Sequence, residues 1–281
     1  MNAAEPFLGA APEGTRRVAA NRCIDALVEE GSELVADEVP VALVYNGITH
    51  AVMLASPLDL DDFALGFTLG ERIVRQRRDV YDIEIEHTAR GIALQVRIAA
   101  GAMARLKGAR VARLGKTGCG LCGVDSLDYF EQEACLPDAS DRPAPPVRRF
   151  EAAALHRAMG AMAARQQLHH ATGAVHAAAW ADADGQVLCL REDVGRHNAL
   201  DKLVGALARS DAALGEGFAV VTSRASFEMV QKAARAGIGL LAAVSAPTAL
   251  AVRMADGAGL TLAGFVRGGR HVIYSHPERL L

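Results

Sequence analysis

Two cysteines stand three positions apart in Thr117-Gly118-Cys119-Gly120-Leu121-Cys122-Gly123. Glycines at 118, 120 and 123 disfavour a regular helix, so the pair is read as accessible sulfur on a loop. Three chemistries suit such a pair: metal binding, disulfide exchange and sulfur carriage. A structural zinc site needs about four ligands. No second Cys-x-x-Cys exists here, and Cys135, Cys189, His176 and His197 would have to assemble from distant points. A thioredoxin-like pair belongs at a helix N-terminus after a strand, and no helical pattern follows until about Ser126. A nucleophilic thiolate on a loop remains, with Lys116 placed to lower a thiol pKa. Such a thiolate can attack a persulfide donor and hold the transferred sulfur as its own persulfide.

A second group of polar residues recurs after apolar runs in the C-terminal half. Arg191-Glu192-Asp193-Val194-Gly195-Arg196-His197-Asn198 follows one run and Thr222-Ser223-Arg224-Ala225-Ser226 another. Ser245-Ala246-Pro247-Thr248 and Phe265-Val266-Arg267-Gly268-Gly269-Arg270 follow two more. In α/β sheets ligands bind outside the carboxyl ends of the strands, where helix N-termini offer free N–H groups to phosphate. Four such turns, three with arginine, point to a sizeable phosphorylated ligand. Each turn also has a purely structural reading. Ser226 and Thr248 can cap helices, Arg191 and Arg196 can pair with Glu192 and Asp193 at the surface, and Gly268-Gly269 can turn a hairpin. His176 lies in the apolar run Val175–Trp180 and is either a satisfied core histidine or an acid–base group near a thiol.

The elements that must position these residues can be read along the chain. Residues 1–20 read as a flexible tail. Val39–Tyr45, Asn46-Gly47 and Thr49–Leu54 predict a hairpin. Ser56-Pro57 and the acids Asp59, Asp61 and Asp62 open a helix with Phe63, Phe67, Leu69 and Ile73 on its apolar face. Residues 80–98 predict two strands turning at Arg90-Gly91, and the cysteine loop follows. Prolines 137, 143, 145 and 146 mark 137–147 as a linker. The domains are thus 21–136, α+β and ending in the cysteine loop, and 148–281, α/β and carrying the four polar turns. In the latter, a helix begins near Glu151, with Leu155, Met159 and Met162 at helical spacing. A hairpin turns at Asp184-Gly185. Helices over Asn198–Arg209, Phe227–Ala236 and Thr248–Ala255 then alternate with strands over Phe218–Thr222, Ile238–Val244, Leu260–Val266 and Val272–Tyr274. That alternation predicts an α/β sheet covered on both faces.

Composition bounds the function. The 281 residues are 51% hydrophobic and 22% charged, with net charge −3. That describes an ordinary globular protein with no basic field for nucleic acid. Arg16-Arg17, Arg77-Arg78 and Arg148-Arg149 are short basic clusters, read as solvated patches. The longest apolar run, Ile238–Val252, is broken by Ser245, Pro247 and Thr248 and is too short to span a bilayer. Met1–Arg17 lacks the apolar core of a secretory signal. With five scattered or closely spaced cysteines, a reducing cytoplasm is the expected compartment.

Taken together, these motifs resemble the FdhD family of formate dehydrogenase accessory sulfurtransferases. The resemblance runs through Val39-Pro40, Asn46-Gly47, Ser56-Pro57, Gly66-Phe67, the cysteine motif, Thr172-Gly173 and Val175–Ala178. It is densest over Glu192–Lys202 and Ser223–Lys232, and continues through Ser245–Thr248 and Gly264–Arg267. It implies a cytoplasmic homodimer with a cytidine deaminase-like C-terminal domain and a smaller β-rich N-terminal domain. It implies a carrier that takes sulfur from a cysteine desulfurase and passes it to the bis-guanine-dinucleotide form of the molybdenum cofactor, destined for formate dehydrogenase. On this resemblance Cys119 holds the persulfide, Cys122 assists, and Phe265, Val266, Arg267, Gly268, Gly269 and Arg270 contact the cofactor. Arg196, His197, Arg224, Ser245 and Thr248 complete the expected cofactor site, with no metal and no tightly bound cofactor. Deaminase chemistry does not transfer with the fold, because His176 is followed by Ala177-Ala178 rather than by the required glutamate. Two rival readings are a non-catalytic cofactor-binding chaperone and a zinc-dependent nucleotide hydrolase.

Overall fold

The computed structural model describes residues 11–111, 148–210 and 212–281. Two sheets carry the fold. In the first, β3 (Val39–Tyr45) and β4 (Ile48–Ala55) form a hairpin, and β5 (Val80–Thr88) and β6 (Gly91–Ile98) form another. The order is β4-β3-β6-β5, with β3 and β6 parallel. Asn46 and Gly47 turn the first hairpin with φ of 47° and 82°, the paired positive values that a two-residue hairpin turn requires. The Asn46 amide also bonds both backbone groups of Ile98, at 2.8 and 3.0 Å, tying the turn to β6. Helices α1 (Leu60–Gly70) and α2 (Ala100–Val111) pack on this sheet around Leu43, Tyr45, Phe63, Phe67 and Leu94.

The second sheet has the order β12-β11-β10-β9-β7-β8. Its strands are β7 (His176–Asp182), β8 (Val187–Asp193), β9 (Gly217–Val221), β10 (Leu240–Ala243), β11 (Thr261–Arg267) and β12 (Arg270–Ser275). The three central strands β9, β10 and β11 are parallel. Helices α5 (Arg196–Arg209), α6 (Phe227–Arg235) and α7 (Ala249–Ala258) cover one face, where Leu200, Met229 and Ala251 meet Ala219 and Val221. Helix α3 (Ala152–Arg165) covers the other, where Leu155 and Met162 meet Phe218 and Val220. Alternate residues of β9 thus enter opposite cores, which is why the strand is apolar throughout. The short helix α4 (Gln167–Thr172) follows α3.

The tail reading fails from Thr15 onward. Strands β1 (Thr15–Ile24) and β2 (Leu27–Ala36) form a two-stranded hairpin outside both sheets. It crosses the expected boundary at residue 21. Its turn is Asp25-Ala26, with positive φ at both residues but no glycine, so the usual turn signal is missing. Helix α2 was also unforeseen, since Gly101 and Gly108 weaken its propensity.

The two halves meet where α1 crosses α5. Gly66 and Gly205 make that crossing possible. A Cβ on Gly66 would lie 1.7 Å from the Asp201 carbonyl oxygen, and one on Gly205 would lie 1.9 Å from that of Asp62. Around the crossing, Asp62 accepts from Arg191 at 2.6 and 2.9 Å and from Arg209 at 3.1 Å.

Candidate functional site

The parallel run β9-β10-β11 ends along one edge of the second sheet. Its three exit loops are stitched together there. Ala225 bridges Pro247, Thr248 N–H donates to Ala225 C=O at 3.3 Å, and Phe265 N–H donates to Ser245 C=O at 3.3 Å. Strand β7 runs antiparallel to β9 and pairs His176 with Asp193 of β8. His176 and the Asp193–His197 loop therefore arrive at the same edge. The four polar turns that the sequence scatters over some eighty positions converge here, as the α/β reading expects.

A cavity of about 500 Å³ opens at this edge, with Met159, Met162, Gln166, His169, His176 and Thr222 in its wall. Partial burial, then the charges of Arg196, His197 and His169, hold the His176 imidazole below its ordinary pKa. It is thus neutral at pH 7 and can accept a proton or a hydrogen bond. The Arg196 Nε is buried with no hydrogen-bond partner. A buried orphan donor is costly, and an anion at this edge would satisfy it.

The individual residues divide by environment. Arg224, Arg267 and Arg270 are exposed. Ser245 is part-buried and contributes its carbonyl to the loop stitching. The His197 ring meets Glu228 at 3.3 Å. Thr248 caps α7, its hydroxyl accepting from Ala251 N–H at 3.2 Å, so the capping reading holds for it. Ser226 makes no such bond to its helix and donates instead to Glu228 at 3.0 Å. Gly268 and Gly269, with φ of 57° and 72°, turn the β11–β12 hairpin. Phe265 has φ of 53° at a bulge before that turn, an uncommon conformation for an aromatic residue. Its ring sits 5.9 Å below the Arg267 guanidinium. The Val266 side chain is fully buried in the α3-side core, leaving its backbone as the part near the edge. Cys119 and Cys122 lie outside the described residues.

The surface-pairing reading of Arg191 and Arg196 does not hold. Arg191 reaches across to Asp62 and Asp59. Glu192 instead accepts the N–H groups of Leu168 and His169 at 2.9 Å each, closing the start of α4. Asp193 is fully buried against Lys202, also fully buried, at 2.7 Å. Its second oxygen accepts from Gly195 N–H at 2.7 Å and Asn198 Nδ2 at 2.9 Å. Ser56 N–H donates to Asp193 at 3.0 Å, and Lys202 Nζ donates to the Ser56 carbonyl at 3.0 Å. This buried network went unread in the sequence. Its signal was Lys202 lying among Ala199, Leu203 and Ala206 on the apolar face of α5, a position that calls for a buried counter-charge. The network fixes the Val194–Arg196 turn and thereby aims Arg196 at the edge. Among the described residues no cluster of three or more His, Cys, Asp or Glu could hold a metal ion, and no helix is long and apolar enough to cross a membrane.

Comparison with known proteins matches this geometry to a family. The FdhD/NarQ family profile matches residues 36–281. A Cupriavidus necator protein named Sulfur carrier protein FdhD is 59% identical over 249 residues, covering 88% of this chain and 83% of its own. A Bordetella petrii protein of the same name is 58% identical over 250 residues, covering 89% of this chain and 87% of its own. A crystal structure described as that of a formate dehydrogenase accessory protein from Desulfotalea psychrophila superposes with a TM-score of 0.73 at 22% identity, over 95% of this chain and 99% of that one. That likeness shows a shared mixed α/β fold. A match over the whole of both sheets, with relatives more than half identical, places the chain in the FdhD/NarQ family.

Proposed function

We propose that this protein is a cytoplasmic sulfur carrier in the maturation of formate dehydrogenase. The observation that carries the reading is that relatives sharing more than half their residues with it, over nearly nine-tenths of its length, are named sulfur carriers, while this chain holds the closely spaced thiols of Cys119 and Cys122. The Cys119 thiolate attacks the outer sulfur of a cysteine desulfurase persulfide. That S–S bond breaks, the desulfurase cysteine leaves as thiolate, and the sulfur stays on Cys119. Cys122 then attacks Cys119 Sγ, forms the 119–122 disulfide and releases the outer sulfur as sulfide to the acceptor. A cellular dithiol restores the pair.

The acceptor is the substrate molybdenum cofactor in its bis-guanine-dinucleotide form. Its phosphates meet Arg196, Arg224, Arg267 and Arg270 at the sheet edge, and the orphan Arg196 Nε supports that assignment. Two guanosine arms suit a homodimer with paired sites, and the second sheet with its flanking helices is assigned to the cytidine deaminase-like fold. The test is to incubate purified protein with a cysteine desulfurase and cysteine and to take intact masses with and without reductant. A reductant-labile gain of one sulfur is expected, mapping to Cys119 and absent in Cys119→Ala. No gain, with the desulfurase active in the same tube, would favour a cofactor-binding chaperone instead.

A further inference from the structure

At the far end of α5 from Arg196 lies a second cavity, of about 260 Å³. Leu69, Val204, Leu207, Ala212, Leu214 and Ala236 give it an apolar wall, and Arg77 and Arg235 stand in its rim. The fourteen residues of α5 set it roughly 20 Å from the candidate cofactor edge. The C-terminal ends of α1, α5 and α6 converge on it. Arg235 donates to the Gly70 carbonyl at 3.1 Å, so its charge answers the carbonyls that helix ends leave open.

Arg77 belongs to the loop after α1, Arg72-Ile73-Val74-Arg75-Gln76-Arg77-Arg78. Ile73 and Val74 are buried in the first core and anchor the loop. Arg75, Arg77 and Arg78 are exposed, the last two on a 3₁₀ turn over Arg77–Asp79. Asp79 is the acid within the turn itself. The anchored loop thus places the Arg77 guanidinium at an apolar socket, with Arg78 exposed on the same turn. Flat arginine forks next to an aliphatic pocket complement a carboxylate-bearing segment that also offers a hydrophobic anchor.

We infer that this Arg77–Arg78 rim and its socket form a docking surface for an acidic peptide segment of a partner protein, anchored by an aliphatic side chain. The occupant follows from charge complementarity and from the socket, which has space for an aliphatic side chain. A nucleic acid would call for stacking groups, and among the described residues no aromatic side chain lines this cavity.

The experiment uses the full chain and fluorescein-labelled synthetic peptides followed by anisotropy. One peptide alternates glutamate with leucine, one replaces each glutamate by lysine, and one keeps the glutamates but replaces each leucine by serine. The Glu/Leu peptide is expected to bind, more weakly at raised salt. The lysine and serine versions are expected to bind at least roughly tenfold more weakly. Arg77→Glu/Arg78→Glu, an exposed pair whose change leaves both cores intact, is expected to weaken Glu/Leu binding by roughly tenfold or more. Ala212→Trp, which fills the socket, is expected to do the same. Unchanged affinity in the arginine variant would overturn the inference, as would equal binding of the serine peptide. Tighter binding of a single-stranded RNA oligomer or of phosphatidylglycerol vesicles to the same rim would also overturn it. Persulfide loading of Cys119 is measured separately by mass, so failure of the docking surface and failure of the carrier reading are distinguishable.

Discussion

Lys202 is the residue whose charge has the fewest alternatives. It has no exposed surface, and its ammonium is held by Asp193 and the carbonyl of Ser56. Removing one member of such a pair strands a buried charge, which costs about 3–5 kcal/mol. Lys202→Met is therefore expected to lower the urea-derived unfolding free energy by about that amount. Adding Asp193→Asn to it is expected to recover part of the loss, because no uncompensated carboxylate then remains. An additive double mutant would contradict this pairing. The sequence placed Asp193 in a dense polar motif, where it read as a surface partner for Arg191 or Arg196, and it gave Lys202 no role of its own. Their true partner, Ser56, lies 137 residues from Asp193 in the chain, and no local pattern encodes an approach over that distance.

Among the elements, the α1–α5 crossing is the most sensitive to a small change. Gly205→Ala puts a methyl group where the Asp62 carbonyl oxygen stands 1.9 Å away. The atom it meets is backbone, so the helices must separate. Overpacking of this kind costs about 1–3 kcal/mol or more. Gly160→Ala is the control, since Gly160 sits within α3 with nothing within 4 Å of the added Cβ. It is expected to raise stability by about 0.5–1 kcal/mol through helix propensity. Thermal unfolding of the two variants side by side checks both signs. Most elements were legible. The Asn46-Gly47 and Asp184-Gly185 hairpins and the strand–helix alternation after Gly217 fall where turn chemistry and periodicity place them. The β1–β2 hairpin was not legible, because its strands are almost wholly exposed and carry no apolar alternation to read.

For the whole molecule, buried Lys232 and Asp201 with part-buried Glu71 tie the first sheet's helix α1 to α5 and α6. Lys232 Nζ reaches Glu71 at 2.8 Å and Asp201 at 2.9 and 3.0 Å. Burial pushes the Asp201 carboxyl up from 3.8 to about 6, with Lys232 opposing and Glu71 adding to the rise. A folded-state pKa above the unfolded one means that this group's contribution is fully present below about pH 4 and is lost as pH rises through about 6. The stability difference between wild type and Asp201→Asn is therefore expected to shift against wild type between about pH 4 and 6 and to level off above. Urea midpoints of both proteins across that window test it. A flat difference would show that Asp201 titrates alike in both states. The same triad links the sheet that precedes the cysteine motif to the body that carries the candidate site.

The sequence by itself determined the thiol pair at 119 and 122, the family blocks, and the order and type of most elements. These depend on residues near one another along the chain: a two-residue turn, a period of two or of 3.6, a capping hydroxyl. The tertiary structure alone decided which members of the Glu192–Lys202 motif are buried supports and which face the sheet edge. It sent Asp193, Asn198, Asp201 and Lys202 inward and left the Arg196 Nε as a buried donor without a partner. That division depends on α1 closing onto α5 across two glycines. The approach of distant backbone sets the local polarity, and that polarity makes one charged residue a strut and leaves its neighbour at the sheet edge.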